Sequence, residues 1–264
     1  EADDEKGRQA RTLHADALKL MARMIDEQRI QAQALYGFFP AAAHGDDVVL
    51  FDETRTQEVA RFHFLRQQKR KRDADATTFC LADFVAPENA LDHLGLFAVT
   101  TGLGADERAR KLEAEHDDYS SIMVKALADR FAEALAEKIH QQARQDWGFG
   151  HEEDLTTAQL LREQYRGIRP APGYPACPDH TEKDTLFQVL DAPSRTGMRL
   201  TESFAMQPAA SVSGLYFQHP ESRYFSVGPV GRDQVTDYAQ RKGMALDVVE
   251  RWLGPSLGYQ PGSG

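Results

Sequence analysis

The residues with the clearest chemical potential stand together between positions 169 and 183, where the chain reads Arg-Pro-Ala-Pro-Gly-Tyr-Pro-Ala-Cys-Pro-Asp-His-Thr-Glu-Lys. Four of the twelve prolines lie in the first ten residues of this segment. Since proline fixes φ and removes a backbone donor, the segment predicts a stiff, extended loop. Arg169 stands at its head, and a planar guanidinium held in place can bind a carboxylate through two hydrogen bonds. The residues alone favour equally a ligand-binding loop and a rigid connection whose arginine is solvated.

Short motifs for other kinds of chemistry are absent from the sequence. The nine histidines are scattered, with no HExxH, no CxxC and no histidine pair four residues apart, so no metal site is predicted. Gly102-Leu103-Gly104 lacks the third glycine and the βαβ context of a dinucleotide site. There is no GxSxG elbow and no nucleophile with an evident base. The motifs therefore assign no catalytic residue.

Composition and charge exclude several classes of protein. Lys and Arg number 31 against 41 Asp and Glu, a net charge of −10, and an acidic surface repels phosphate backbones. The basic run Lys69–Arg72 is short and is interpreted as a solvated turn. No stretch approaches the roughly 18 apolar residues of a membrane span. Two cysteines without a CxxC favour a reducing cytoplasm. We therefore predict a cytoplasmic protein that binds neither nucleic acid nor a membrane.

The two ends of the chain suggest a piece of a longer protein. It begins with Glu1 rather than Met, and residues 262–264 are typical of a linker or tag remnant. A length of 264 residues allows one large domain or two small ones. Because no low-complexity linker divides the chain, we predict one domain over residues 1–261.

Hydrophobic periodicity predicts the elements that must position the loop. The predicted helices cover residues 5–35, 106–144, 155–165, 183–190, 232–242 and 245–253. The predicted strands cover residues 38–39, 48–51, 59–65, 79–85, 96–100, 198–202, 211–217 and 223–227. The core face of the second helix is predicted to hold Tyr119, Ile122, Met123, Ala126, Leu127, Ala134 and Leu135. Strands in runs followed by helices in runs indicate an α+β fold with an antiparallel sheet.

At this point the sequence shows a resemblance to a known family. The fifteen-residue loop is similar to the signature loop of the C-terminal activation domain of cobalamin-dependent methionine synthase. Further segments resemble that family along nearly the whole chain, and they cover residues 81–87, 116–130, 200–206, 216–220, 241–244 and 250–253. A fifteen-residue match is far more specific than a short motif.

The resemblance implies a single α+β domain in which long helices flank a twisted antiparallel sheet and S-adenosylmethionine binds in a shallow groove. It implies a repair role: an electron from a flavodoxin-type partner reduces inactive cob(II)alamin, which then takes the methyl group of S-adenosylmethionine. The chain would be part of a methyltransferase, 5-methyltetrahydrofolate–homocysteine methyltransferase, and would not be active alone. Cobalamin and zinc would belong to the missing domains, and the cobalamin domain would be a partner.

The resemblance also implies six ligand-binding residues, which are Arg169, Ala171, Tyr174, Tyr224, Phe225 and Glu163. Arg169 would hold the ligand carboxylate, Ala171 would offer backbone contacts and Tyr174 would shape the wall. The attack of cobalt on an activated sulfonium depends on the positioning of the ligand and needs little acid–base catalysis. No catalytic residue is therefore expected.

The remaining site residues are more open to alternatives. Tyr224 and Phe225 would line the site from the predicted late strand, although from the residues alone ordinary sheet packing is favoured. Glu163 would face the ligand ammonium. By the resemblance, the family's lead-in segment, which supplies an acidic contact, is expected to lie upstream of Glu1, and no DxHxxG cobalamin motif occurs in the sequence. The alternative is therefore a non-catalytic docking module for flavodoxin and the cobalamin domain, with an incomplete ligand site.

Overall fold

A computed structural model describes residues 4–27, 30–68 and 77–262 of the chain. Three expectations lie outside the described residues, namely those for Glu1, for the basic run Lys69–Arg72 and for the last two residues of the linker.

The described elements comprise helices, strands and two short 3₁₀ turns. The helices are α1 (Glu5–Glu27), α2 (Ala105–Ala114), α3 (Asp118–Asp146), α4 (Thr157–Leu160), α5 (Glu182–Leu190), α6 (Ala192–Thr196), α7 (Arg232–Lys242) and α8 (Leu246–Trp252). The strands are β1 (Gln31–His44), β2 (Asp47–Phe51), β3 (Glu58–His63), β4 (Asp92–Leu103), β5 (Arg199–Leu200), β6 (Met206–Gln207) and β7 (Ser211–Tyr216). The 3₁₀ turns cover Leu81–Phe84 and Gly254–Ser256.

Five strands form one sheet in the order β3-β2-β1-β4-β7, while β5 and β6 pair separately. β1 and β2 make an antiparallel hairpin in which His44 pairs with Asp47, and β2 pairs antiparallel with β3. The tight turn between β1 and β2 uses Gly45, whose φ of 63° suits a residue without Cβ. The predicted α+β class with an antiparallel sheet is confirmed. Across the described ranges, no helix combines the length and hydropathy that a bilayer crossing requires.

The chain divides into two compact units, of which the first comprises residues 1–35, 98–139 and 193–212. In its core α3 contributes Val124, Ala128 and Ala132, spaced four residues apart on one helical face. Tyr119 and Ile122 were expected on the core face, but they are 54% and 68% exposed. Ala126 and Ala134 are exposed as well, so this part of the predicted stripe is wrong, because the buried face of α3 runs through Val124, Ala128 and Ala132.

The second unit comprises residues 36–97, 140–192 and 213–264 and contains the proline-rich segment. One core cluster joins Leu65, Val227 and Val230 to apolar residues of α7 and α8. The residue pairs Phe84–Phe217 and Phe84–Phe225 add edge-on aromatic contacts at 6.4 Å between ring centroids. The segment with candidate binding residues therefore lies in a unit with its own core.

Two predicted long helices are wrong in extent. The first was expected to reach residue 35, but α1 ends at Glu27 and Gln31 begins β1. Sheet pairing there overrides the local helix propensity of Gln and Ala. The second, expected over 106–144, is two helices, since His116 between α2 and α3 has a positive φ of 59°.

Three shorter elements were also mispredicted. Residues 79–85 form no strand and contain a 3₁₀ turn, and residues 223–227 lie outside every strand. The helix predicted over 155–165 shrinks to α4, capped by Thr156, whose side chain accepts from Gln159 N. The segments 232–242 and 183–190 were predicted within one residue of α7 and α5.

Candidate functional site

The first part of the proline-rich segment is fixed to the end of β7. Ile168 and Phe217 exchange two backbone hydrogen bonds of 3.0 Å, and Leu215 N donates to Pro170 O at 2.9 Å. This approach requires Gly214, because a Cβ there would lie 2.7 Å from Pro170 O. Residues 168–170 are therefore hydrogen-bonded to the chain at the end of β7 in the manner of a short additional strand.

Beyond Pro170 the chain forms a compact turn closed by its own backbone. Tyr174 N donates to Ala171 O at 3.2 Å, and Gly173 N donates to Cys177 O at 2.7 Å. Gly173 has a φ of 96°, and a Cβ there would overlap the imidazole of His180. Burial and the nearby charge of Lys183 lower the pKa of His180, so its Nδ1 accepts from Lys183 Nζ at 2.8 Å. The ring of His180 thus stabilises the loop from within.

Gly173→Ala tests whether this packing fixes the turn. We expect a loss of about 1–3 kcal/mol in the free energy of unfolding, from the left-handed backbone and the overlap with His180. Chemical denaturation monitored by fluorescence measures the loss. The matched control is Gly148→Ala, where φ is 97° but nothing lies within 4 Å of the added Cβ. Equal losses for the two variants would contradict a role for His180.

Arg169 is held through both its backbone and its side chain. Its backbone N donates to the hydroxyl of Tyr224 at 3.0 Å, although 55 residues separate the two. Its Nη1 lies 2.5 Å from Tyr165 Oη and 3.4 Å from His140 Nδ1. The structure therefore brings Arg169 and Tyr224 together, and it adds Tyr165 and His140, which the sequence did not reveal.

A second arginine supports this arrangement from below. Arg144 is 1% exposed, and its guanidinium lies 4.0 Å from the centroid of the Tyr165 ring. Its Nε donates to both carboxylate oxygens of Glu153, at 3.2 and 2.9 Å. The sequence places Tyr165 four residues before Arg169, which is a local signal that could have linked the two. His140 and Arg144 stand on α3 as unremarkable polar residues.

The other expected site residues lie in different surroundings. Tyr174 is 63% exposed and Ala171 is half-buried in the turn. The ring of Phe225 lies 5.9 Å from that of Phe79 between centroids, and Phe225 stands outside every described strand. Glu163 is exposed with a φ of 53°, and within the described residues its side chain makes no hydrogen bond to the other five expected site residues.

A cavity of about 370 Å³ opens against the same turn. Tyr174, Pro175 and His180 line it from the loop, and Ser226 and Trp252 line it from the later part of the chain. Val227 N donates to Pro175 O at 2.9 Å, which fixes this wall to the turn. The volume falls within the range of small-molecule sites, about 300–1,000 Å³. In the part of the chain that the structure describes, no group of three His, Cys, Asp or Glu could hold a metal ion.

Two comparisons with known proteins bear on this geometry. Residues 1–243 match the family described as vitamin B12 dependent methionine synthase, activation domain. This chain belongs to that family. Its structure is similar to the crystal structure of the MetH reactivation domain bound to AdoHcy, with a TM-score of 0.94 and 51% identity. The similarity covers 98% of this chain and 80% of that one. The resemblance noted from the fifteen-residue loop is confirmed.

In this activation domain, the second half of the proline-rich loop ends in a buried cluster of charged residues. Asp179 is 3% exposed and accepts from Tyr238 Oη at 2.7 Å and from Lys242 Nζ at 2.9 Å. Lys242 also pairs with Glu182, which is fully buried and accepts from His63 N at 3.1 Å. One ammonium thus serves two carboxylates and joins the loop end and α5 to α7.

The two carboxylates respond differently to burial. Burial raises the pKa of Glu182, and the charge of Lys242 offsets this only in part. Burial acts in the same direction on Asp179, but Lys242 and the hydrogen bonds from Thr181 hold its pKa below the usual value. Burial opposes the charge of Lys242, yet the two carboxylates keep its pKa raised. The ammonium of Lys242 therefore favours the charged form of both carboxylates.

Proposed function

We propose that this activation domain binds S-adenosylmethionine (AdoMet) at the proline-rich loop and presents it as the methyl donor for reactivation of the cobalamin of methionine synthase. The observation that carries the proposal is the AdoHcy bound to a reactivation domain that is 51% identical over nearly the whole chain. AdoHcy is the molecule that remains when AdoMet has given up its methyl group.

The residues present fit the amino-acid end of such a ligand. The guanidinium of Arg169 contacts Tyr165 Oη and His140 Nδ1, and these two contacts orient it. A fixed guanidinium is suited to a carboxylate. Ala171 would offer backbone contacts, Tyr174 a wall, and Tyr224 the hydroxyl that holds the Arg169 backbone.

Glu163 and Phe225 have weaker support as site residues. Glu163 would reach a ligand ammonium through its exposed side chain. Phe225 would contribute through its backbone, because its ring is packed against Phe79 and Phe84. Both assignments are part of the proposal.

In the proposed reaction, the role of this domain is to position its ligand. When bound, AdoMet supplies an activated methyl group that the reduced cobalt accepts after a one-electron reduction by a flavodoxin-type partner. Because the sulfonium is already activated, the contribution of the domain lies in orientation and in excluding other approaches. Cobalamin, and the zinc of homocysteine activation, would reside in other domains of the parent methyltransferase, and the cobalamin domain would dock here.

Isothermal titration calorimetry tests the proposal. We expect saturable heats for AdoMet and AdoHcy and none for ATP, which shares the adenosine but lacks the amino-acid end. Absence of heat with both ligands at millimolar concentration would exclude the ligand-binding function. That result would favour the alternative, a docking module for flavodoxin and the cobalamin domain with an incomplete ligand site.

A further inference from the structure

His140 occupies an unusual place for a histidine. It is 2% exposed, and its ring stacks on that of Tyr216 with centroids 4.8 Å apart and planes 7° apart. The ring of Tyr165 meets it edge-on at 5.0 Å and 89°. These two contacts fix the plane of the imidazole, so that its Nδ1 lies 3.4 Å from Nη1 of Arg169.

Burial and the charged groups around His140 together determine its protonation. Arg144 faces it from α3 and Arg169 from the loop, while the neighbouring rings of Tyr165 and Tyr216 are neutral. Burial, followed by the charges of the two arginines, lowers the pKa of His140 well below its ordinary value. The imidazole is therefore neutral at physiological pH. Since Arg169 can only donate, Nδ1 accepts and the ring proton stands on Nε2.

We propose that His140 is a positioning residue of the ligand site, which accepts a hydrogen bond from Arg169 at Nδ1 and so fixes the guanidinium for the ligand carboxylate. The inference rests on the proposed function. Nη1 carries two hydrogens, and the second points to Tyr165 Oη at 2.5 Å. With both hydrogens directed to acceptors, the rotation of the guanidinium is restricted.

Packing alone does not account for a histidine at this position. A phenylalanine would fill the stack on Tyr216 without placing a titratable ring between two arginines, which burial makes unfavourable for the charged form. The feature that phenylalanine cannot supply is the acceptor at Nδ1. The support beneath it is also rigid, because Arg144 covers the Tyr165 ring and is itself held by Glu153.

The test compares two variants and two ligands by calorimetry. His140→Phe keeps the stacked ring and removes the acceptor, whereas His140→Asn keeps an acceptor near the Nδ1 position. With AdoHcy we expect His140→Phe to weaken binding about 3- to 10-fold, which corresponds to the net contribution of one ordinary hydrogen bond. We expect His140→Asn to recover most of this loss. With 5′-methylthioadenosine, which lacks the carboxylate, we expect no change from wild type.

The outcomes separate this inference from the proposed function. Unchanged AdoHcy affinity in His140→Phe, or equal losses with both ligands, would overturn the positioning role and leave AdoMet binding intact. Failure of the wild-type chain to bind AdoHcy would overturn both. A double variant with Arg169→Ala should show no further loss from His140→Phe, because the hydrogen bond is already gone.

A measurement on the wild-type chain avoids any dependence on folding of the variants. Nitrogen-15 NMR of the histidine side chains reports the protonation of each ring nitrogen. We expect the His140 signal to show an unprotonated Nδ1 and a protonated Nε2 from about pH 8 down to about pH 5.5. A charged ring in that range, or a proton on Nδ1, would overturn the inference.

Discussion

Arg169→Ala is expected to weaken AdoHcy and AdoMet binding by about 1.5–3 kcal/mol, which corresponds to roughly a 10- to 150-fold rise in Kd. The reason is the loss of a charge-assisted, two-pronged contact to the ligand carboxylate. The loop itself should persist, because its turn is closed by backbone hydrogen bonds and by the contact between Pro170 O and Leu215 N. Calorimetry measures the affinity, and thermal unfolding reports whether the fold is retained.

Two further variants distinguish the geometry of Arg169 from its charge as the cause of the loss. Arg169→Lys keeps the charge and loses the planar fork, so an intermediate affinity is expected if geometry matters. Arg162→Ala removes an equal charge from an exposed position seven residues earlier and should leave affinity unchanged. If Arg162→Ala weakened binding as much as Arg169→Ala, the loss would arise from the general positive charge of the domain. Arg169 would then no longer be assigned to the ligand site.

The elements that were predicted well end at local signals. α7 begins after Gly231 and ends before Gly243, which has a left-handed φ of 65° typical of a residue after a helix. The β1–β2 hairpin is marked by Gly45 between two apolar runs. By contrast, β1 begins at Gln31 in a segment of helix-forming residues, and only pairing with distant strands makes it extended. Single-sequence reasoning has no access to that pairing.

The candidate site likewise has features that the sequence predicts and features that it does not. The stiffness of the loop and the importance of Arg169 follow from prolines and an arginine that are adjacent in sequence. Its partners do not, since Tyr224 lies 55 residues later and His140 lies 29 residues earlier. His140 lies on α3 and Tyr224 lies beyond the end of β7, so only the folded chain brings them to Arg169. A histidine on a helix carries no mark in sequence that distinguishes a buried acceptor from a surface residue.

The largest expected effect on stability comes from Lys242→Met. The methionine keeps most of the buried stem, but Asp179 and Glu182 lose the ammonium that they share. Removing one partner from a buried ionic cluster leaves uncompensated charge, which costs about 3–5 kcal/mol. Urea denaturation at about pH 7 measures the change. Lys125→Met is the matched control, because Lys125 pairs with Glu113 at 2.9 Å on the surface and is 51% exposed. Its loss should have little effect.

The pH dependence of Lys242→Met tests whether unpaired charge is the cause. Without the ammonium, burial raises the pKa of both carboxylates above their unfolded values, as it already does for Glu182. The folded state then binds protons more readily than the unfolded chain, so the variant gains stability as the pH falls from about 7 to about 5. Glu182→Gln in the same background removes one of the two charges and should recover part of the loss. A destabilisation that is independent of pH, and is not relieved by Glu182→Gln, would instead indicate a packing defect at the end of α7.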